Sequence, residues 1–201
     1  MVMFMEKFLE IKKIANENGG YFFTKDAGNA GITKAALSFY AKQGKLERVR
    51  RGVYLLPDRF DDEMFSIQAT APLAIYSHDT ALYLHDLCDR DPLRYTVTVP
   101  YGYNSATLRN KNVRVRTDKK KTHSNWIVEV STMYGNNVRV YDIERTLCDS
   151  LKPRCQVDIA LITDAFKRYT KSKNKDLHKL MTYAKSIGVD KKVRSYMEVL
   201  Q

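Results

Sequence analysis

The sequence predicts an α+β protein built from two domains, and three observations support this prediction. Hydrophobic residues recur at helical spacing near both ends of the chain, and four valine-rich stretches lie between them. The sign of the charge changes at Pro57, because residues 1–57 hold ten Lys or Arg against five Asp or Glu, whereas residues 58–91 hold two against eight. We therefore expect an N-terminal domain over 1–57 and a C-terminal domain over 58–201.

The overall composition indicates a cytoplasmic protein with a polyanionic partner. Of the 201 residues, 44% are hydrophobic, which is enough to form real cores. The three cysteines contain no Cys-x-x-Cys pair, and no apolar run is long enough for a signal peptide or a membrane span. The net charge of +11 favours nucleic acid as the partner. We predict no membrane partner and no cofactor.

The first domain shows the pattern of three helices followed by a strand hairpin. Apolar side chains recur at helical spacing from Phe4 to Ala15, which predicts a helix over 4–17. We expect Thr24 to cap a short second helix and Thr33 to cap a third, which Gly44 ends. Alternating apolar residues then predict a hairpin around Gly52. Together these elements predict a winged helix-turn-helix.

A helix whose outer face carries short or cationic side chains can enter the major groove of double-stranded DNA. An adjacent hairpin that carries arginines can reach the flanking phosphates. The alternative is a packed domain whose basic edge only faces water. The DNA-binding interpretation assigns contacts to these residues of the third helix and the hairpin: Thr33, Lys34, Ala35, Ser38, Lys42, Lys45, Arg48, Arg50 and Arg51.

The second domain is predicted to contain a mainly antiparallel sheet and a C-terminal helical tail. Helices are expected over 62–71 and 78–88. The strands correspond to "RYTVTVP", "NVRVRT", "WIVEVSTM" and "NVRVYD". A further helix should begin at Asp142 and run through Leu151. Three amphipathic segments form the tail: 156–170, 174–186 and 190–200.

Two basic tracts of the second domain, 108–123 and 165–194, are candidate contact surfaces. Such runs are often just the solvated face of a helix. We nevertheless mark their basic residues as a candidate surface for a functional partner or for accessory nucleic-acid contacts, formed by Arg114, Arg116, Lys119, Lys120, Lys121, Lys167, Arg168, Lys171 and Lys173.

A metal site is weakly indicated by His78, His85 and Cys88, which a helix would place near one face. These three residues stand among leucines, and the sequence offers no matching pair of carboxylates or thiolates elsewhere. Packing or capping roles are therefore favoured, and we predict no metal site.

Paired acids that could suggest catalysis have structural interpretations. Asp142 is expected to be an N-cap, Glu144 a first-turn acid that the helix dipole favours, and Asp149 the i+4 partner of Arg145. The sequence shows neither a nucleophile with its base nor a phosphate-binding loop. We therefore predict a protein that is not an enzyme.

Four stretches in order along the chain resemble the AbiEi family of abortive-infection antitoxins: "TKAALSFYAKQGKLERVRRGVYLLP", "YSHDTALYLHDL", "TVTVPYGYNS" and "VYDIERTLCDSL". The resemblance implies a winged-helix repressor that binds inverted repeats in its own promoter. It also implies a C-terminal domain that neutralises a nucleotidyltransferase-like AbiEii toxin in phage defence, without a stable complex between the two proteins.

Two classes of function remain open from the sequence. One is a DNA-binding autorepressor and antitoxin, and the other is an RNA- or protein-binding module that uses the winged fold only as a platform. For the first class we expect a monomer in solution that pairs on DNA, because a palindromic operator can be filled by two monomers.

Overall fold

The computed structural model describes residues 2–153, 155 and 157–199, with side chains from residue 6 onward. The side chain of Phe4, the first residue of the predicted 156–170 helix and the last of the predicted 190–200 helix lie outside the described residues. The chain forms two compact units, one comprising 1–66 with 133–136 and the other 67–132 with 137–201. The boundary proposed after Pro57 stays a prediction.

The N-terminal unit consists of helices and a small antiparallel sheet. Its elements up to Leu55 are α1 (Val2–Glu17), β1 (Tyr21–Phe23), α2 (Thr24–Ala27), α3 (Lys34–Lys42), β2 (Glu47–Arg50) and β3 (Val53–Leu55). The strand order is β1-β3-β2, with both pairings antiparallel. One hydrophobic core joins the helices to the sheet, and its fully buried side chains include Ile11, Phe22 and Leu37.

The capping role expected for Thr24 is wrong. Thr24 is already the first residue of α2, and the capping position belongs to Phe23, whose side chain makes no capping hydrogen bond. The reason is the strand that precedes the helix: Phe23 pairs with Val53, and the Thr24 amide donates to the carbonyl of Gly52 at 2.9 Å. The sheet therefore determines where this short helix begins.

The next helix, α4 (Glu63–Thr70), contains the division between the units, which falls after Ser66. The remaining strands are β4 (Ile75–Tyr76), β5 (Thr96–Pro100), β6 (Arg114–Asp118), β7 (Ile127–Ser131) and β8 (Asn137–Tyr141). The remaining helices are α5 (His78–Leu84), α6 (Ala106–Asn110), α7 (Lys120–His123), α8 (Ile143–Ser150), α9 (Ile159–Lys171), α10 (Leu177–Ile187) and α11 (Asp190–Val199).

The five-stranded sheet of the C-terminal unit is mixed, in the order β6-β5-β4-β8-β7. The pairs β5–β6 and β4–β8 are parallel, and β4–β5 and β7–β8 are antiparallel. The prediction of a mainly antiparallel sheet is therefore wrong, although the α+β class is confirmed. The cause is that α6 carries the chain across between β5 and β6, which is how parallel neighbours are connected.

The C-terminal helices pack on a core of their own. Buried residues of α5, α8, α9, α10 and α11 form one cluster, which includes Leu147, Phe166 and Leu180. The amphipathic spacing predicted the tail helices correctly, because the apolar side of each one packs against this cluster. No described helix has the length and apolar character needed to cross a membrane.

Candidate nucleic-acid interface

Helix α3 is fixed at both ends by residues that the sequence identifies. The Thr33 side chain accepts a hydrogen bond from the Ala36 amide at 3.2 Å, which confirms its predicted capping role. The helix ends at Lys42, and Gly44 follows with a φ of 69°, a left-handed conformation that glycine adopts without strain. Leu37 is fully buried, so the helix has one defined inner face.

The outer face of α3 is exposed along its length. The five residues that the sequence selected here are all exposed: Thr33, Lys34, Ala35, Ser38 and Lys42. Phe39 is exposed beside them, at 45%. Among the residues that the structure describes, neither lysine forms an ion pair, so both ammonium groups are free to meet an external anion. The face offers short side chains, a hydroxyl group and two cations around the Phe39 ring, and its short side chains allow a close approach to another molecule.

The β2–β3 hairpin carries two exposed arginines close to its turn. Arg48 lies on β2 and Arg51 in the turn, and Gly52 completes the turn with a φ of 80°. Neither arginine has an ion-pair partner in the described part of the chain. Because both guanidinium groups are uncompensated, this hairpin adds positive potential to the surface of the N-terminal unit.

Arg50 differs from these two arginines. Its side chain is only 19% exposed and pairs with Asp61 at 3.5 Å and Glu63 at 3.3 Å. It also donates a hydrogen bond to the Ser66 hydroxyl. A β-bulge between Arg48 and Arg50 shifts the strand register. The two side chains therefore do not follow the regular alternation of a strand. Arg50 thus fastens the hairpin to the segment that follows it, whereas a DNA contact by Arg50 stays a prediction.

Further contacts hold the segment 58–66 to the rest of the N-terminal unit. The Tyr21 hydroxyl donates to Asp61 at 2.8 Å, and its ring lies 5.3 Å from that of Phe65, measured between centroids. Burial and the neighbouring carboxylate raise the pKa of Tyr21. Asn136 donates to Asp62 at 2.9 Å. These bonds explain why the compact unit continues beyond Pro57.

Lys45 lies just beyond α3, where it is exposed. Its Nζ atom stands 5.4 Å from the centroid of the Phe8 ring, in a cation–π arrangement. The contact orients the lysine side chain and leaves its charge at the surface.

The basic residues selected in the C-terminal unit divide into exposed lysines and partnered arginines. Exposed positions are Lys119, Lys120, Lys121, Lys167, Lys171 and Lys173. Arg114 pairs with Asp79 at 3.4 Å, and Arg116 donates to the Cys155 carbonyl at 2.5 Å. Arg168 pairs with Asp89 at 2.5 Å and Asp164 at 3.0 Å, and hydrogen bonding to Asp89 raises the pKa of Arg168.

A buried ionic network in the C-terminal unit centres on Arg145. This side chain is 2% exposed, and it pairs with Asp149 at 2.6 Å and Asp118 at 2.5 Å. Its guanidinium carbon also lies 4.3 Å from the centroid of the Tyr141 ring. The i+4 partner was predicted correctly. Asp118 was not, because no local pattern relates it to a helix that begins 25 positions later.

The start of α8 confirms two further predictions. Asp142 accepts from the Arg145 amide at 2.8 Å and is therefore the N-cap. Glu144 lies in the first turn, where it accepts from the Tyr169 hydroxyl at 3.1 Å. Lys179 stands 3.1 Å from both carboxylates. Its pKa is raised, because these two hydrogen-bonded acids outweigh the opposing effect of burial.

The three residues that weakly suggested a metal site have separate structural contacts. His85 bonds through Nε2 to the Tyr141 carbonyl at 2.7 Å. The Cys88 thiol donates to the Arg90 carbonyl at 3.8 Å. His78 bonds through Nδ1 to the Ser77 hydroxyl at 3.0 Å, and burial lowers its pKa to about 4.

A polar, exposed helix beside a cationic hairpin is an arrangement typical of domains that bind nucleic acids. Residues 10–57 match the model of the AbiEi antitoxin family of transcriptional regulators. The match covers both α3 and the hairpin, and it confirms over these residues the resemblance found from the sequence. It supports a role as an antitoxin and transcriptional regulator. That family is one of regulators and not of enzymes.

Among solved structures, the chain is similar to that of the RV2827C protein from Mycobacterium tuberculosis. The TM-score is 0.58 with 11% sequence identity, over 94% of this chain and 79% of the other. At that identity the likeness concerns the fold alone. No curated protein matches the sequence.

Proposed function

We propose that this protein is a DNA-binding transcriptional autorepressor and antitoxin of an abortive-infection system. The observation that carries the proposal is the exposed face of α3 beside the uncompensated Arg48 and Arg51. The family match over residues 10–57 supports it, because that match covers both elements. The excess of positive charge over the whole chain, +11, favours the same kind of partner.

The N-terminal unit acts in this proposal as a winged helix-turn-helix. Helix α3 enters the major groove, about 12 Å wide, and presents its N-terminal residues to base edges. Lys34 and Ser38 are suited to reading bases, because a short hydroxyl and a flexible ammonium can both reach base edges. The hairpin is the wing, and Arg48 and Arg51 contact the flanking phosphates. Arg50 acts indirectly by holding the wing in place.

The lysines near the end of α3 contribute affinity and not sequence preference. Lys42 lies in the last turn and Lys45 just beyond it, where each can meet a phosphate of the backbone. The DNA target is an inverted repeat in the protein's own promoter. The protein is a monomer in solution and pairs on DNA, because a repeated site binds two copies without requiring contact between them.

In this proposal the C-terminal unit supplies the antitoxin function. Its partner is a nucleotidyltransferase-like AbiEii toxin, which it neutralises without a stable complex. The exposed lysines over 119–121 and at Lys167, Lys171 and Lys173 are the surface we assign to this role or to additional contacts with nucleic acid. Arg114, Arg116 and Arg168 support the surface structurally, because each has a partner within the unit.

The protein acts by binding and not by catalysis, and it works in the cytoplasm. The family match supports the first statement, since the family is one of regulators. The second rests on three free cysteines, two of them buried, which a reducing compartment preserves.

A reporter driven by the protein's own upstream region tests the regulatory half of the proposal. The intact protein should lower reporter output, and the Arg48→Ala, Arg51→Ala double variant should restore it at equal protein level. Co-expression with the toxin from the adjacent reading frame tests the other half, since the intact protein should restore growth. Unchanged reporter output, together with selective binding to RNA, would favour the alternative of an RNA-binding module.

A further inference from the structure

A cleft of about 450 Å³ opens in the C-terminal unit at the surface of β5 and β6. Its volume falls within the range of small-molecule sites, about 300–1,000 Å³. The residues that line the cleft belong to the C-terminal unit, whereas those of the candidate nucleic-acid interface belong to the N-terminal unit. The side chains used in the following argument are His78, Thr98, Arg116, Arg145, Asp149 and Lys152.

The floor of the cleft is a face of two parallel strands. Thr98 of β5 and Arg116 of β6 are register partners, so their side chains point to the same side of the sheet. Asp118 follows two positions after Arg116 and shares that side. Helix α8 provides a wall, which places Arg145 and Asp149 at the cleft. Polar groups therefore converge from separate elements on one concavity.

His78 is oriented into this cleft by a chain of hydrogen bonds. The Thr98 hydroxyl donates to the Ser77 hydroxyl at 2.9 Å, which leaves the Ser77 proton for Nδ1 of His78 at 3.0 Å. In the tautomer in which Nδ1 accepts the Ser77 proton, the imidazole carries its own proton on Nε2, an atom without a hydrogen-bond partner among the described residues. His78 is only 8% exposed and lines the cleft. Because Ser77 holds Nδ1, Nε2 is the ring nitrogen left available to the cavity.

The backbone at His78 is strained. Its φ is 54°, in the left-handed region that residues other than glycine seldom adopt. Such strain concentrates at functional sites, where the surrounding structure holds a side chain in a position that it would not otherwise take. Here the strain and the hydrogen-bond chain both act on the one imidazole that faces the cleft.

The charges of the cleft leave a positive excess. Arg116, Arg145 and Lys152 line it together with two carboxylates, Asp118 and Asp149. Arg145 is bound to both carboxylates, and Lys152 stands 2.6 Å from Asp149. Burial alone would raise the pKa of Asp118, but hydrogen bonds from Arg145 and the Lys119 amide outweigh burial and lower it. Three cationic side chains and two carboxylates therefore line the cleft, a formal excess of one positive charge. Arg116 also donates to the Cys155 carbonyl, which holds its guanidinium group at the cleft.

We propose that this cleft binds the phosphate group of a small molecule, up to about the size of a mononucleotide. Arg116 and Lys152 supply the cationic donors, and Nε2–H of His78 supplies a neutral donor from a third direction. A phosphate has several acceptor oxygens, so it can bond to donors that arrive from separate elements, and guanidinium groups match its geometry. Thr98 and Ser77 act as positioning residues, because they fix the tautomer of the imidazole.

Isothermal titration of the full-length, nuclease-treated protein tests the proposal. The probes are inorganic phosphate and the four ribonucleoside 5′-monophosphates. We expect saturable binding at one site per chain. Binding by phosphate alone indicates a site for the free ion, and tighter binding of a monophosphate indicates a nucleotide site. Absence of binding by every probe at millimolar concentration would overturn the proposal.

Two variants and two controls locate the binding. His78→Asn retains a residue that tolerates positive φ but removes the Nε2 donor, and Arg116→Gln removes one cation. Each should weaken binding by about tenfold or more, the scale of a lost charge-assisted or buried hydrogen bond. Lys185→Ala removes one exposed charge outside the cleft and should bind normally. The Arg48→Ala, Arg51→Ala variant should also bind normally.

Retained binding in both cleft variants, or lost binding in the Arg48→Ala, Arg51→Ala variant, would overturn the assignment, because the phosphate would then occupy another surface. Thermal unfolding of each variant without ligand separates a damaged fold from a lost contact. The probe should raise the melting temperature of the parent and of Lys185→Ala, and at the same probe concentration it should raise those of His78→Asn and Arg116→Gln by clearly less.

Discussion

Replacing Arg48 and Arg51 together by alanine tests the assignment of the hairpin as a DNA-contacting wing. Both side chains are exposed and without ion-pair partners among the described residues, so their removal should leave the fold intact. If each arginine neutralises one phosphate, the variant should lose two contacts on every duplex. The plot of log affinity against log salt should therefore become less steep by about 1.8, at about 0.9 per contact.

This change in slope converts to a measurable loss of affinity. Relative to about 1 M salt, where the counterion contribution vanishes, a slope of about 1.8 corresponds to about 30-fold in affinity at about 0.15 M salt. The variant should therefore bind about 30-fold more weakly at that concentration and approach the parent as salt rises. Fluorescence anisotropy with a labelled duplex, repeated over a salt series, measures both quantities.

Arg50→Ala is the matched control in the same hairpin. Its side chain is mostly buried against Asp61, Glu63 and Ser66. Its loss should lower the free energy of unfolding by about 1 kcal/mol, the scale of a partly exposed ion pair with a hydrogen bond. The salt slope should stay near that of the parent. If the double variant kept the parent slope, or if Arg50→Ala alone accounted for its loss, the wing assignment would be refuted.

Substituting Lys34 and Ser38 by alanine should reduce the preference for the operator over a scrambled duplex by about 1 to 3 kcal/mol per base contact, as measured by competition binding; equal losses on both duplexes would make them phosphate contacts. Arg145→Met should lower the free energy of unfolding in urea by about 3 kcal/mol or more, because it leaves two carboxylates without their buried cation, and a near-neutral effect would contradict the role assigned to the network. Because the pKa of His78 is about 4 in the folded protein and near 6.5 in an unfolded chain, the unfolded state binds more protons between these values. His78 alone should therefore lower the free energy of unfolding of the parent by about 2 kcal/mol between pH 7 and pH 5. Urea unfolding at the two pH values should show a smaller decrease for His78→Asn, because that variant lacks the titrating imidazole.

Elements with strong local patterns were predictable from the sequence. Thr33 and Asp142 are caps as expected, because a cap depends only on the three residues that follow it. The helices after residue 140 were predicted within a few residues, since the apolar side of each one packs on a single core. The outer face of α3 was predicted for the same reason, because burial of Leu37 fixes which side remains exposed.

Features that depend on distant residues were not predictable. Strands β1 and β4 have only three and two residues, too few to show a period, and pairing with other strands defines them. The parallel arrangement of β5 and β6 arises from the path of the chain between them. Arg50 was grouped with Arg48 as a DNA contact, but a bulge lies between them and Arg50 pairs with Asp61 and Glu63 beyond the hairpin. The cleft at His78 gathers residues from four parts of the chain, so no sequence window contains it.

The most direct test of the account is a mobility shift of the intact protein on the DNA upstream of its own gene, over a salt series, beside a scrambled duplex of equal length. The account predicts a discrete complex on the upstream DNA that persists at salt concentrations where the scrambled duplex is released. It also predicts that affinity for both duplexes falls steeply with salt, because phosphate contacts serve both. Equal affinity for the two duplexes at every salt concentration would contradict the claim that α3 reads a DNA sequence.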